Sequence, residues 1–85
     1  MNTPEALRQA VAHALRGIAP EADLDQVNPT ASLREQLDLD SFDFLKLLIA
    51  LQESVGVDIP EADYGDVDSL ERLVSYLLRR QTRTA

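Results

Sequence analysis

The residue of this sequence that most directly offers chemistry is Ser41, which opens a predicted helix within the run from Leu37 to Asp43. Asp40 can cap that helix, because its carboxylate can accept backbone N–H groups and Asp43 follows at the spacing of an acidic capping box. The Ser41 hydroxyl then lies exposed at the first helical position, where the positive end of the helix favours an anion such as a phosphodiester. A second interpretation stays open, in which Ser41 is itself the N-cap or an ordinary first-turn serine.

Ser41 has no sequence neighbour that would make it a catalytic nucleophile. The chain contains no cysteine, and its only histidine, His13, falls in another predicted helix. A nucleophilic serine needs an adjacent base, so chemistry at Ser41 requires a second enzyme that activates the hydroxyl. We therefore predict that the chain is not an enzyme and that His13 is a surface residue.

The acidic residues around Ser41 do not match a calcium-binding loop. Counted from Asp38 as position one, position six is Asp43, where glycine is required, and position twelve is Ile49, where glutamate is required. We predict no dedicated metal site.

The helix that begins at Ser41 carries more apolar surface than a small bundle can easily bury. At about 100° per residue, one group of side chains forms a core stripe, and a second stripe points roughly 140° away from it. The core stripe comprises Phe44, Leu47, Leu48, Leu51 and Val55, and the second stripe comprises Phe42, Leu45 and Ile49. Asp43, Lys46 and Glu53 flank the second stripe. We expect the second stripe to stay partly exposed as a docking strip with a polar rim, the alternative being a helix that is buried on nearly all sides.

Apolar periodicity predicts three main helices and one short one, with no strand. The predicted ranges are Pro4–Arg16, Ser41–Val55, Glu61–Tyr64 and Ser69–Arg80. The expected fold class is therefore all-α, an irregular four-helix bundle with a long first loop.

Local signals set the predicted helix ends. Thr3 is expected to cap the first helix, and Asp68, with Glu71 three residues later, is expected to cap the last. Gly56 is expected to end the second helix in a left-handed conformation, and Gly65 to end the short one.

The long first loop, residues 19–40, is expected to be partly ordered, because a loop of this length in a small domain needs a reason. Ser32 and Glu35 have capping-box spacing and predict one helical turn. Four apolar side chains are expected to pin the loop onto the core: Leu24, Val27, Leu33 and Leu37.

Length and composition indicate one small domain over residues 1–85, with residues 81–85 as a frayed tail. The absence of cysteine fits a reducing compartment, and no signal peptide is evident, so we expect a cytoplasmic protein. No long apolar run is evident, so we expect no membrane insertion. We also expect a monomer. The net charge is −7, and the segment from Asp38 to Glu71 contains ten acids and one base, Lys46. Such a field repels nucleic acid and favours partners with basic patches.

Several of these residues together resemble the acyl carrier protein family. Asp40-Ser41-Phe42 and the helix that follows resemble that family's Asp-Ser-Leu attachment motif and second helix. Residues 57–60 (VDIP) resemble the segment after that helix, and residues 67–70 (VDSL) resemble the start of the last helix. The resemblance covers residues 24–78.

The resemblance implies that a phosphopantetheinyl transferase uses coenzyme A to place 4′-phosphopantetheine on Ser41. The terminal thiol of that arm would carry an acyl group as a thioester for fatty-acid, polyketide or related metabolism. Acyl ligases, synthases and transferases with basic patches would be the partner enzymes. Asp40 would help the transferase engage, and Phe42, Leu45 and Ile49 would contact partners.

Three residues depart from the pattern of carriers in fatty-acid synthesis. Phe42 stands where leucine is usual, Phe44 where a smaller or polar residue is usual, and Lys46 where an acid is expected. These departures indicate a specialised carrier, in which Phe44 narrows any acyl cavity. The alternatives are an aminoacyl or peptidyl carrier, and a helical interaction module without a prosthetic group.

Overall fold

In a computed structural model that describes residues 3–83, the chain forms four α-helices and two 3₁₀ helices. The α-helices are α1 (Pro4–Arg16), α2 (Leu33–Leu37), α3 (Ser41–Val55) and α4 (Leu70–Arg83), and the 3₁₀ helices are Leu24–Gln26 and Glu61–Val67. The described residues include no strand. The predicted all-α irregular bundle is confirmed.

The core lies where α1 packs against α3 and α4. Each of these helices contributes side chains to the core, and Leu7 of α1, Leu48 of α3 and Leu77 of α4 are fully buried. Burying a side chain of this size stabilises the fold by about 1.5–3 kcal/mol. Val55, at the end of the core stripe of α3, is partly buried against the same cluster.

The predicted ends of α1 and α3 are confirmed. The Thr3 hydroxyl accepts a hydrogen bond from the Ala6 N–H at 3.2 Å, which caps α1. Gly56 follows α3 with φ of 77° and donates its N–H to the Gln52 carbonyl. Glycine has no Cβ and adopts this left-handed conformation without steric cost, so it ends the helix at the predicted position.

The first loop is ordered as predicted. Leu24 and Leu33 are buried, whereas Val27 and Leu37 are partly buried against the core. The Ser32 hydroxyl accepts the Glu35 N–H at 3.2 Å and so caps α2.

The predicted short helix is present, but its predicted end at Gly65 is wrong. The segment is a 3₁₀ helix that passes through Gly65 and continues to the buried Val67. Asp63 ties it to α4, because the Asp63 carboxylate accepts the Tyr76 hydroxyl at 2.6 Å and pairs with Arg80 at 3.2 Å. These contacts hold the segment against α4, and Gly65 does not end it.

The predicted cap of α4 is also wrong. The Ser69 hydroxyl, and not the Asp68 carboxylate, accepts the Arg72 N–H at 3.2 Å. Asp68 instead turns toward α2, where it accepts the Ser32 hydroxyl at 2.6 Å. A partner 36 residues away therefore takes the carboxylate that local spacing assigned to the helix end.

α4 begins one residue later than predicted and extends past the predicted end at Arg80. Residues 84 and 85 lie outside the described part of the chain. A frayed tail over residues 81–85 and a single domain over residues 1–85 therefore stay predictions.

Candidate functional site

Asp40, and not Ser41, is the N-cap of α3. The Asp40 backbone is extended, and its carboxylate accepts the Asp43 N–H at 2.8 Å. Ser41 is the first residue of α3 and is exposed. Its hydroxyl makes no hydrogen bond to any residue in the range 3–83. The interpretation of Ser41 as a cap is wrong, and its hydroxyl is left available for chemistry.

The short link between α2 and α3 fixes the position of Ser41. Asp38 ends α2 in the left-handed region with φ of 53°, which turns the chain sharply. Leu39 then buries its side chain in the core and donates its N–H to the Arg34 carbonyl at 2.9 Å. A buried apolar anchor two residues before Ser41 thus sets where α3 begins.

An open pocket of about 450 Å³ adjoins Ser41. Arg34, from α2, and Asp68, from the segment before α4, also line it, and the Arg34 Nε lies 3.4 Å from an Asp68 carboxylate oxygen. The Arg34 guanidinium also lies over the ring of Phe44, 5.1 Å from its centroid. Sequence reasoning missed this cluster, because residues 34 and 68 share no local pattern.

The predicted docking strip is exposed as expected. The side chains of Phe42 and Ile49 are 67% and 45% exposed, and Leu45 between them is half-buried. Among the predicted flanking residues, Lys46 and Glu53 are exposed and Asp43 is half-buried. Side chains as large as Phe and Ile are usually covered, so an exposed pair on one helix face favours contact with another molecule.

Lys46 also contacts the strip directly. Its Nζ lies 5.0 Å from the centroid of the Phe42 ring, a cation–π distance. The lysine ammonium therefore lies against the apolar strip, and its positive charge interrupts the acidic rim.

The chemistry open to this site is acceptance of a group at the Ser41 hydroxyl.

His13 is exposed on α1, as predicted, and lines a different pocket with Gln9 and Arg16. Among the described residues, no three His, Asp or Glu side chains gather as metal ligands, and no helix is both long and apolar enough to cross a membrane.

Comparison with known proteins assigns the family. Residues 5–77 match the family described as the phosphopantetheine attachment site. An acyl carrier protein of Rubrobacter xylanophilus is 37% identical over 60 residues, which cover 71% of this chain and 74% of that protein. The acyl carrier protein of Helicobacter hepaticus is 27% identical over 91% of this chain and 95% of its own length.

A mitochondrial acyl carrier protein of Neurospora crassa is 29% identical over 80% of this chain and 51% of its own length, so this chain aligns with about half of it. The fold matches an acyl carrier protein of Enterococcus faecalis with a TM-score of 0.76 at 22% identity, over 92% of this chain and 98% of that one. This chain therefore belongs to the acyl carrier protein family, whose attachment domain carries a covalently bound 4′-phosphopantetheine.

Proposed function

We propose that this chain is an acyl carrier in which Ser41 bears the 4′-phosphopantetheine, transferred from coenzyme A by a phosphopantetheinyl transferase. When bound, the arm supplies a terminal thiol that holds the acyl group as a thioester. The proposal rests on one observation at the start of α3. Asp40 caps the helix, and the Ser41 hydroxyl is therefore exposed and makes no hydrogen bond within residues 3–83.

The surroundings of Ser41 fit a phosphodiester. The first turn of a helix favours a negative group, and the serine opens onto a pocket and not onto the core. The carrier needs no base of its own, because the transferase activates the hydroxyl. In this proposal the chain itself catalyses nothing and presents its cargo to other enzymes.

The docking strip supplies the surface that those enzymes contact. Phe42, Leu45 and Ile49 would enter an apolar groove, while Asp43 and Glu53 meet basic side chains around its rim. Asp40, beside the attachment serine, would contact the transferase. The net charge of −7 favours such partners over nucleic acid, and encounter rates should fall as salt concentration rises. Acyl ligases, synthases and transferases with basic patches fit this surface, and the carrier would act as a cytoplasmic monomer.

Intact-mass measurement tests the attachment. The unmutated chain is incubated with coenzyme A and a broad-specificity transferase, beside Ser41→Ala and the control Ser54→Ala, which changes an exposed serine at the other end of α3. We expect one phosphopantetheine on the unmutated chain and on Ser54→Ala, and none on Ser41→Ala. An unmodified wild-type chain would favour a helical interaction module without a prosthetic group.

Burial of Phe44 favours a specialised carrier over one for long fatty-acyl chains. Phe44 is 3% exposed and lies one turn after Ser41, with Arg34 over its ring. We propose that this ring narrows the space in which an acyl chain could lie. A long-chain acyl thioester on the arm should hydrolyse more slowly in Phe44→Leu than in the wild type, because the smaller residue opens space. Equal rates, with the chain equally protected in both, would contradict this assignment.

A further inference from the structure

We propose that Arg34 is a positioning residue that binds the phosphodiester at Ser41. This inference rests on the proposed function, because it presupposes the attachment at Ser41. Arg34 belongs to α2 and not to the docking strip, and its side chain lines the same 450 Å³ pocket as Ser41.

The guanidinium lies within reach of the first turn of α3. Its central carbon is 5.1 Å from the centroid of the Phe44 ring. Phe44 follows Ser41 by three residues on α3, a spacing that brings the two Cβ atoms to about 5–6 Å. The positive group therefore contacts a side chain of the same turn that carries the serine, and it lines the pocket onto which the serine opens.

The charges around the pocket give Arg34 this role. The other ionisable side chains that line it are carboxylates, those of Glu35, Asp38 and Asp68. A phosphodiester adds another negative charge to this acidic field. Arg34 is the cation among the lining residues, and its fork-shaped guanidinium matches phosphate oxygens.

Arg34 keeps donors available for the phosphodiester. Its two side-chain contacts with Asp68, at 3.4 and 3.5 Å, are longer than an ordinary N–H···O hydrogen bond. A guanidinium carries five N–H donors, so others can turn toward Ser41. Asp68 stays in place through Ser32, whose hydroxyl it accepts at 2.6 Å. Modification would thus connect α3, through Arg34, to the start of α4.

Nuclear magnetic resonance tests the contact on the complete chain. In the wild type, the Arg34 side-chain Nε resonance is expected to shift between the unmodified and the modified protein. The ³¹P resonance of the modified protein is expected to shift in Arg34→Gln and to move less in Arg34→Lys. The control Arg8→Gln, which removes an equally exposed arginine paired with Asp25, is expected to leave it unchanged.

Unfolding equilibria give a second readout. Modification should stabilise the wild type more than it stabilises Arg34→Gln. For an exposed charge pair, the factor by which modification lowers the unfolding equilibrium constant should be about two- to fivefold larger in the wild type than in Arg34→Gln. An Arg34 Nε resonance that does not move, with the same ³¹P shift in wild type and Arg34→Gln, would overturn the inference.

The mass experiment separates the two proposals. If the wild type gains no phosphopantetheine, the proposed function fails. If it is modified but shows neither spectral change nor coupling, only the role of Arg34 fails.

Discussion

The Asp40 carboxylate accepts the backbone N–H of Asp43 at 2.8 Å, and this bond relieves Ser41 of any role in capping α3. Asp40 accepts a backbone N–H group that has no partner within the helix, and Ser41 is exposed to solvent. Two adjacent residues thus divide structure and proposed chemistry between them.

Replacing Asp40 with alanine should lower the free energy of unfolding by about 1 kcal/mol, because α3 loses its N-cap. Asp40→Asn should lose little, since asparagine also caps well. Urea unfolding measures both. Asp58→Ala is the control, because Asp58 is exposed and makes no side-chain hydrogen bond or ion pair within residues 3–83. An equal loss in Asp40→Ala and Asp58→Ala would contradict the capping role.

The two faces of α3 should respond differently to truncation. Ile49→Ala should change the free energy of unfolding by no more than about 0.5 kcal/mol, because Ile49 is 45% exposed. Leu48→Ala should lower it by about 2–5 kcal/mol, because Leu48 is fully buried. For the proposed docking, Ile49→Ala should still weaken binding to the transferase, measured by titration calorimetry. Unchanged binding in Ile49→Ala and Phe42→Ala would argue against the strip as a contact surface.

Alanine should have opposite effects at two glycines. Gly56 has φ of 77°, where an added Cβ is strained, so Gly56→Ala should destabilise the fold by about 1–2 kcal/mol. Gly65 has no positive φ and no atom near its potential Cβ. Gly65→Ala should therefore stabilise by about 0.4–1 kcal/mol through the lower entropy of the unfolded chain. Thermal unfolding of the two variants checks both signs, and a loss of equal size at both positions would refute the argument.

Tyr76 should make the fold sensitive to alkaline pH. Burial raises its pKa above the ordinary value of 10.0, and the hydrogen bond to Asp63 raises it further, while the positive charge of Arg80 opposes the shift. The unfolded chain therefore loses the phenolic proton at lower pH than the folded chain does. The stabilisation is complete below about pH 10 and is lost as pH rises through the pKa of the folded state.

Tyrosinate absorbance measures this shift in Tyr64→Phe, where Tyr76 is the remaining tyrosine. We expect a midpoint above 10.0 in the folded protein. We also expect urea stability above pH 10 to fall less steeply in Tyr76→Phe than in the wild type. A midpoint at or below 10.0 would contradict the burial argument.

Features encoded by neighbouring residues could be predicted from the sequence. Thr3 and Gly56 define helix ends through contacts within a few residues, and both predictions are confirmed. For α3 the sequence left two candidate caps open, and the structure shows that Asp40 is the cap. The exposed face of α3 could also be predicted, because helical spacing alone separates Phe42 and Ile49 from the core stripe.

Features that depend on distant partners could not be predicted. Asp68 has the local spacing of a helix cap, but Ser32 and Arg34 draw its carboxylate toward α2. Asp63 contacts Tyr76 and Arg80 of α4, and the second 3₁₀ helix passes Gly65 and ends at the buried Val67. In both segments a carboxylate makes a contact across the bundle, and no pattern within one turn reveals such a contact.

The buried Leu39 has a further consequence for the proposed carrier. Because this side chain is seated in the core two residues before Ser41, the point from which the arm departs cannot slide along the surface. The length of the arm then sets how far from this point the bound acyl group can reach. A visiting enzyme therefore meets the attachment point at one fixed place on the surface of the carrier.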